Sequence, residues 1–155
     1  MAIEIERKFL VVGDFPTENY SSILQAYLSL DPERIVRIRI ESGYATIAIK
    51  GGAKGFSHLE FEYQIPEKDA RKLLTLSVGK PIEKDRYRCT YGPHTWEIDV
   101  FKGANHGLVV AEIELDDELE QFELPGWIGK EVSEDPKYRN AMLALNPYEQ
   151  WNDNK

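Results

Sequence analysis

Residues 4–9 read EIERKF, and the side of this stretch that faces the interior decides the fold. Successive side chains of a β-strand point to opposite faces, so Glu4, Glu6 and Lys8 share one face while Ile3, Ile5 and Phe9 take the other. An antiparallel strand of this kind ordinarily turns its apolar face to the core and its charges to water. Six further segments repeat the alternation, so the question is put to all of them together. RIVRIRIES (34–42) sets Arg37, Arg39 and Glu41 against Val36, Ile38 and Ile40, and ATIAIKG (45–51) sets Thr46, Ala48 and Lys50 against Ile47 and Ile49. LEFEYQI (59–65) carries Glu60, Glu62 and Gln64 on one face, and IEKDRYR (82–88) carries Lys84, Arg86 and Arg88. WEIDVF (96–101) and AEIEL (111–115) place Glu97 with Asp99 and Glu112 with Glu114.

Most of these charged faces have one sign along a whole strand. A solvated sheet surface normally mixes Thr, Ser and Gln with charges, and like charges in register repel. Such blocks fit the wall of a wet cavity that binds something charged. Carboxylates are natural ligands of Mg²⁺ or Mn²⁺, while Arg and Lys are natural clamps for phosphate oxygens, so the pattern points to a metal and an anion together. The expected fold is α+β: a closed antiparallel eight-stranded β-barrel, a tunnel with a polar charged lumen, its apolar faces packed outward against a few helices.

The chain of 155 residues reads as a single domain, 1–155, with no internal repeat, low-complexity tract or linker. Its 42% apolar and 30% charged residues describe a soluble globular protein. With no apolar run of membrane-spanning length and no secretory pattern at the N-terminus, the expected location is cytoplasmic, with no membrane partner. Cys89 is the single cysteine and reads as a packing residue. A net charge of -8 argues against a nucleic-acid partner but admits a small polyanionic ligand if the 19 Lys and Arg are gathered locally. The sequence sets no oligomeric state.

Period-two segments and turn signals predict strands at 2–12, 25–30, 34–41, 44–50, 58–65, 81–91, 94–101 and 107–115. A helix is expected from Pro66 with Ala70, Leu73 and Leu74 inward, and a short one over DELEQF (117–122). DPKYRNAMLALN (135–146) predicts another, capped by Asp135, with Tyr138, Met142 and Leu145 along one side.

EIERKF resembles the ExExK signature of the CYTH superfamily, the triphosphate tunnel metalloenzymes. QAYL (25–28), VRIRI (36–40), AIKG (48–51), LEFEYQIP (59–66) and IEKDRY (82–87) are similar to the strands that follow it in that family. EIDVF, VVAEIEL, GKEV and DPKYRNAMLA resemble its closing elements, so the likeness runs over nearly the whole chain. Lys137 stands where the last motif more often has Arg, which keeps the charge but removes a bidentate fork. The resemblance implies Glu4, Glu6, Glu112 and Glu114 at the metal, Mg²⁺ or Mn²⁺. It implies Lys8, Arg37, Arg39, Lys50, Lys84 and Arg86 on the phosphate chain, with Arg88 near a strand end. Glu60, Glu62, Glu97 and Asp99 complete the metal shell, position water or pair with the cations. Tyr27 is a candidate proton acceptor or a wall residue, and Lys8 joins it as a catalytic candidate.

His58, His94 and His106 lie at turns or strand ends without shared spacing and read as exposed or locally bonded. Trp127, Trp151, Tyr138 and Tyr148 read as packing residues. KGGAKG (50–55) lacks the spacing of a phosphate-binding loop and reads as a hairpin turn. The expected activity is metal-dependent hydrolysis of a triphosphate, foremost inorganic tripolyphosphate, because the chain reads as one domain with no appended segment. The alternatives are an adenylate cyclase, a thiamine or nucleoside triphosphatase, or a polyphosphate-binding module without turnover.

Overall fold

A computed structural model describes residues 3–151. Its strands are β1 (Ile3–Val11), β2 (Tyr20–Asp31), β3 (Arg34–Glu41), β4 (Tyr44–Lys54), β5 (Ser57–Ile65), β6 (Val78–Tyr91), β7 (His94–Phe101), β8 (Val109–Leu115) and β9 (Ile128–Glu131). Going around the wall the order is β1, β5, β4, β3, β2, β6, β7, β8 and back to β1, so eight antiparallel strands close a barrel. β5 and β9 share one edge of β1, β5 along Ile3–Ile5 and β9 at Phe9 and Val11. Short turns join β3 to β4, β4 to β5 and β6 to β7, which is why the connections are antiparallel. KGGAKG ends in the β4–β5 turn, as expected.

The parity argument holds around the whole barrel. The apolar positions Phe9, Trp96, Ile98, Ala111 and Ile113 are buried outside the wall under Phe15, Phe122 and Trp127 from the flanking loops. α1 (Glu67–Leu73) buries Ala70 against Ile38, Ile40 and Ala45, with Leu73 and Leu74 beside them. At one end the lumen itself turns apolar: Tyr27, Ile82, Phe101 and Val110 meet Val132, Tyr138, Leu143, Ala144 and Trp151 of the C-terminal segment. That segment therefore packs onto one mouth of the barrel. Gly79 permits the approach, because its φ is +75° and a Cβ there would lie 2.6 Å from the Ala144 carbonyl oxygen.

Three expectations are corrected. DELEQF forms no helix; it is a turn followed by irregular chain, tied by Glu120 to His94 and to the Asp116 amide, and by Glu118 to the Phe56 amide. The helix expected over 135–146 is broken. Asp135 caps a 3₁₀ turn at Pro136–Tyr138, Arg139 is extended (ψ 137°), and α2 runs only over Asn140–Leu145. The break resets the helical phase, so Met142 and Leu145 are exposed while Ala141, Leu143 and Ala144 are buried. β2 and β6 begin earlier than predicted, β8 begins later, and β9 was not predicted as a strand. The predicted strand start at residue 2 lies outside the described residues. No helix among the described residues is long and apolar enough to cross a membrane.

Gly79→Ala combines a left-handed backbone with a carbonyl clash and should destabilise the protein by more than about 1 kcal/mol. Urea unfolding checks this; an unchanged midpoint would mean that the α2 contact is not fixed by Gly79.

Candidate active site in the barrel lumen

The charged faces line one cavity of ≈ 300 Å³. Glu4, Glu6 and Lys8 reach it from β1, Gln25 and Tyr27 from β2, Arg37 and Arg39 from β3, and Lys50 from β4. β5 contributes His58 and Glu60, β6 Lys84 and Arg86, β7 Glu97, and β8 Glu112 and Glu114. Glu62 stands at a mouth and Asp99 is buried in the wall behind Arg86. Every candidate site residue read from the sequence is thus in or beside the lumen.

The order of strands sorts these charges into two arcs. β4, β3, β2 and β6 carry the lumen's Lys50, Arg37, Arg39, Lys84 and Arg86; β7, β8, β1 and β5 carry its carboxylates together with Lys8 and His58. At the two seams the arcs neutralise each other. Lys50 lies 3.3 Å from Glu60, and Arg37 donates to Glu62 at 2.9 Å. At the other seam Arg86 grips Asp99 with Nε and Nη2 at 2.8 and 2.9 Å, Lys84 Nζ lies 2.8 Å from Asp99, and Arg86 Nη1 lies 3.3 Å from Glu97. Although burial opposes it, these partners hold Asp99 far below the ordinary carboxylate range. Burial, with Arg86 and Arg39 nearby, pushes Lys84 down despite Asp99. Glu60 is likewise held low, against its burial, by His58 and Lys50.

The middles of the arcs are different. Among the described residues Arg39 has no carboxylate at ion-pair distance; its Nε donates to Gln25 Oε1 at 3.0 Å. Burial and the neighbouring Arg37 and Arg86 push it down to about 10. Opposite, burial and the adjacent Glu112 push Glu6 up to about 8, and burial with Glu4 and Glu97 raises Glu114. Glu112 goes the other way. Although burial would raise it, Lys8 at 3.8 Å and the hydrogen bond with Glu6 bring it down to about 2. Among the described residues Arg39 has no anion, and Glu6 and Glu114 no cation, at ion-pair distance, so each is a natural place for a ligand of opposite charge.

The donor set fits a divalent cation. Ligand atoms of Glu4, Glu6 and His58 all lie within 4.8 Å of one another. Ligands of one octahedral ion at about 2.1 Å stand about 3 Å apart when adjacent and about 4.2 Å when opposite, so side-chain shifts of a few tenths of an ångström bring this set around one ion. Of the four carboxylates expected at a metal, Glu4 and Glu6 fall in this cluster, Glu112 is engaged by Lys8, and Glu114 stands on β8 beside them.

The structure adds residues that sequence reading passed over. His58 is locally bonded, as one expectation had it, but inside the lumen: its Nε2 is 3.0 Å from Glu4, and Glu4 and Glu60 together hold its pKa up at about 9. Its parity with Glu60 and Glu62 was the available signal. Gln25 is fully buried, and Asn140 from α2 accepts from Lys84 at 2.9 Å. Lys137 sits over the Trp151 ring at 4.7 Å, and it is Arg139 that lines the cavity. Arg88 pairs with Glu41 and Glu97 near the strand end, and His94 bonds Glu120.

A sequence model of the CYTH domain matches residues 2–143, and the chain belongs to that family. Over 151 residues it is 44% identical to a protein of Acetivibrio thermocellus named inorganic triphosphatase, with 96% of this chain and 97% of that one covered. A Nitrosomonas europaea protein of the same name is 34% identical over 149 residues, covering 92% and 97%. A crystal structure described as that of an inorganic triphosphatase superposes with a TM-score of 0.68 at 32% identity, over 92% of this chain and 97% of that chain.

Without metal, Glu6 keeps its proton up to about pH 8 when folded but only to 4.5 in its ordinary state, so this stabilisation is complete below 4.5 and lost as pH rises through 8. His58 acts in the same direction, with its contribution complete below 6.5 and lost through about 9. The metal-free melting temperature should therefore fall as pH rises from 6.5 to 8. Glu6→Gln, which mimics the protonated acid, should flatten that fall; thermal melts in EDTA that show identical slopes would refute the assignment to Glu6.

Proposed function

We propose that this chain hydrolyses inorganic tripolyphosphate to pyrophosphate and phosphate inside the barrel, with Mg²⁺ or Mn²⁺ as cofactor held by Glu4 and Glu6 and assisted by Glu112 and Glu114. The observation that carries this reading is the Arg39 guanidinium on one arc and the Glu6 and Glu114 carboxyls on the other, lining one cavity with no opposite charge at ion-pair distance among the described residues. A metal triphosphate supplies both missing partners at once. A plain anion receptor would have no use for the acidic arc, which repels anions unless a cation bridges them. The two relatives named inorganic triphosphatase match nearly end to end and support the same reading.

Phosphoryl transfer asks for alignment and charge neutralisation more than for covalent chemistry. Lys8, Arg37, Arg39, Lys50, Lys84 and Arg86 hold the phosphate chain and offset the charge that grows on the leaving pyrophosphate. A divalent cation, when bound, neutralises phosphate oxygens and polarises a water. Glu60, Glu62, Glu97 and Asp99 keep the cations at the seams in place, as their ion pairs suggest. Tyr27, buried at the foot of the charged lumen, is the candidate acceptor of the water's proton, with Lys8 beside the acidic arc. The chain's acidity fits a cytoplasmic enzyme acting on a small polyanion, with no nucleic-acid or membrane partner. A second reading, hydrolysis of an organic triphosphate, is favoured by Ile35, Ala53 and Phe56, which line the same cavity and offer an apolar berth to an ester group.

Phosphate release from tripolyphosphate, ATP and thiamine triphosphate, each with Mg²⁺, Mn²⁺ or EDTA, tests both readings. Turnover that needs metal and prefers tripolyphosphate is expected; preference for ATP or thiamine triphosphate selects the second reading, and binding without turnover on any substrate overturns both. Glu4→Gln should lower kcat by at least about 100-fold with the fold intact, and a variant with wild-type turnover and metal dependence would remove Glu4 from the metal. Arg39→Ala should lower kcat/KM by about 100-fold or more, whereas a neutral result would move the phosphate site elsewhere.

A further inference from the structure

Three groups of the proposed site, Arg39, Lys84 and Tyr27, are joined by two amides. Arg39 Nε can only donate, so the Gln25 atom 3.0 Å away is the carbonyl oxygen. That choice turns Gln25 Nε2 toward the Tyr27 hydroxyl oxygen at 2.9 Å and Asn140 Oδ1 at 3.3 Å. Lys84 Nζ can also only donate, and it meets the same Asn140 Oδ1 at 2.9 Å. Each amide orientation is therefore fixed by a cationic donor, Lys84 being itself held by Asp99 at 2.8 Å. The result is a single directed network, in which Arg39 donates to Gln25, Gln25 donates to Tyr27 and Asn140, and Lys84 donates to Asn140.

Gln25 has no solvent-accessible surface, so nothing but this network satisfies its amide. It sits at the middle of the basic arc, opposite Arg39 on β3, with Tyr27 opposite Arg37. The β2–β6 ladder shifts register between Gln25 and Tyr27, an irregularity of the kind that re-aims a side chain. Asn140 is the first residue of α2 and enters the lumen from the C-terminal segment.

Resting on the triphosphatase reading, we propose that Gln25 and Asn140 are positioning residues: they hold Arg39 and Lys84 against the phosphate chain and present a donor to the Tyr27 oxygen. Gln25 occupies one lone pair of that oxygen, which fixes the ring and leaves the rest of the hydroxyl's bonding capacity for the lumen. An acceptor role requires Tyr27 as a phenolate, which becomes a phenol again on taking the water's proton, and a donor such as Gln25 Nε2 is the contact a phenolate oxygen keeps. Gln25 thus couples binding, through Arg39, to chemistry, through Tyr27.

The test compares Gln25→Leu, Gln25→Glu and Asn140→Asp in wild-type and Tyr27→Phe backgrounds, with kcat and KM for tripolyphosphate, its Kd by calorimetry, and circular-dichroism melts for folding. Gln25→Leu should raise KM and lower kcat, together about 10- to 100-fold in kcat/KM, the loss typical of residues that orient a site from behind. Gln25→Glu keeps an acceptor for Arg39 but cannot donate to Tyr27. It should lower kcat in the wild-type background and cost less than about twofold more once Tyr27 is Phe, a split that general loosening would not produce. Equal kcat losses in both backgrounds overturn the proposal while leaving the triphosphatase reading intact. If Gln25→Leu does not fold, Gln25→Glu and Asn140→Asp decide the matter. If the wild type releases no phosphate, the triphosphatase reading falls and the network is judged by Kd: about tenfold weaker tripolyphosphate binding in Gln25→Leu supports it, while unchanged affinity or no wild-type binding overturns it.

Discussion

The structure depends on the pairing of opposite charges across the two seams of the barrel wall. A lumen of this width cannot bury a full arc of Lys and Arg or a full arc of Glu and Asp alone, since an uncompensated buried charge costs several kcal/mol. Lys50 and Arg37 with Glu60 and Glu62 close one seam, and Lys84 and Arg86 with Asp99 and Glu97 close the other. Toward the middles of the arcs Lys8 partly offsets Glu112, and His58 with Lys50 offsets Glu4, while Arg39, Glu6 and Glu114 have no opposite charge at ion-pair distance among the described residues. What remains is a cavity polarised across its width, short of one cation on the β1 and β8 side and of one anion on the β3 side.

Placing the polar faces inward sets everything outside. The apolar faces of the strands then lie outside the wall, where α1 and the aromatic residues of the flanking loops cover most of them, while Ile49, Phe61 and Tyr63 of β4 and β5 stay exposed. Phe9, Trp96, Phe122 and Trp127 meet edge to face, which packs a flat wall of rings without leaving gaps. The barrel is thus largely inverted relative to one with an oily centre: two apolar clusters lie outside the wall, and a third plugs one end of the lumen under the C-terminal segment.

The barrel was legible because charge parity along a strand is a local pattern with a period of two. EIERKF, VRIRI and IEKDRY each declare a face without reference to the rest of the chain, and the signs of the faces reveal that they meet. Gln25 and Asn140 carry no charge to mark them, and an amide in a strand or at a helix start looks the same in sequence whether it is buried or wet. His58 escaped because its position near a turn hid its parity with Glu60. The C-terminal helix was overextended because Pro136 and Asp135 signal a helix start, while the extended backbone at Arg139 that restarts the helix has no local signature. DELEQF has helical composition, but Glu118 and Glu120 are committed to the Phe56 amide and to His94, contacts that compete with a helix there.

Closure through β1 has a consequence for how the molecule comes into being. β1 is made before its partners β5, β8 and β9, and it cannot be fully flanked until residue 131 has been made. Asn140, which reaches into the lumen from α2, arrives later still. At ordinary rates of about 5 to 20 residues per second, the first strand waits several seconds for its last neighbour. During that interval the nascent sheet shows water both a charged face and an apolar one. Glu4 and Glu6 thus stay hydrated until the later strands enclose them, so their desolvation falls near the end of assembly.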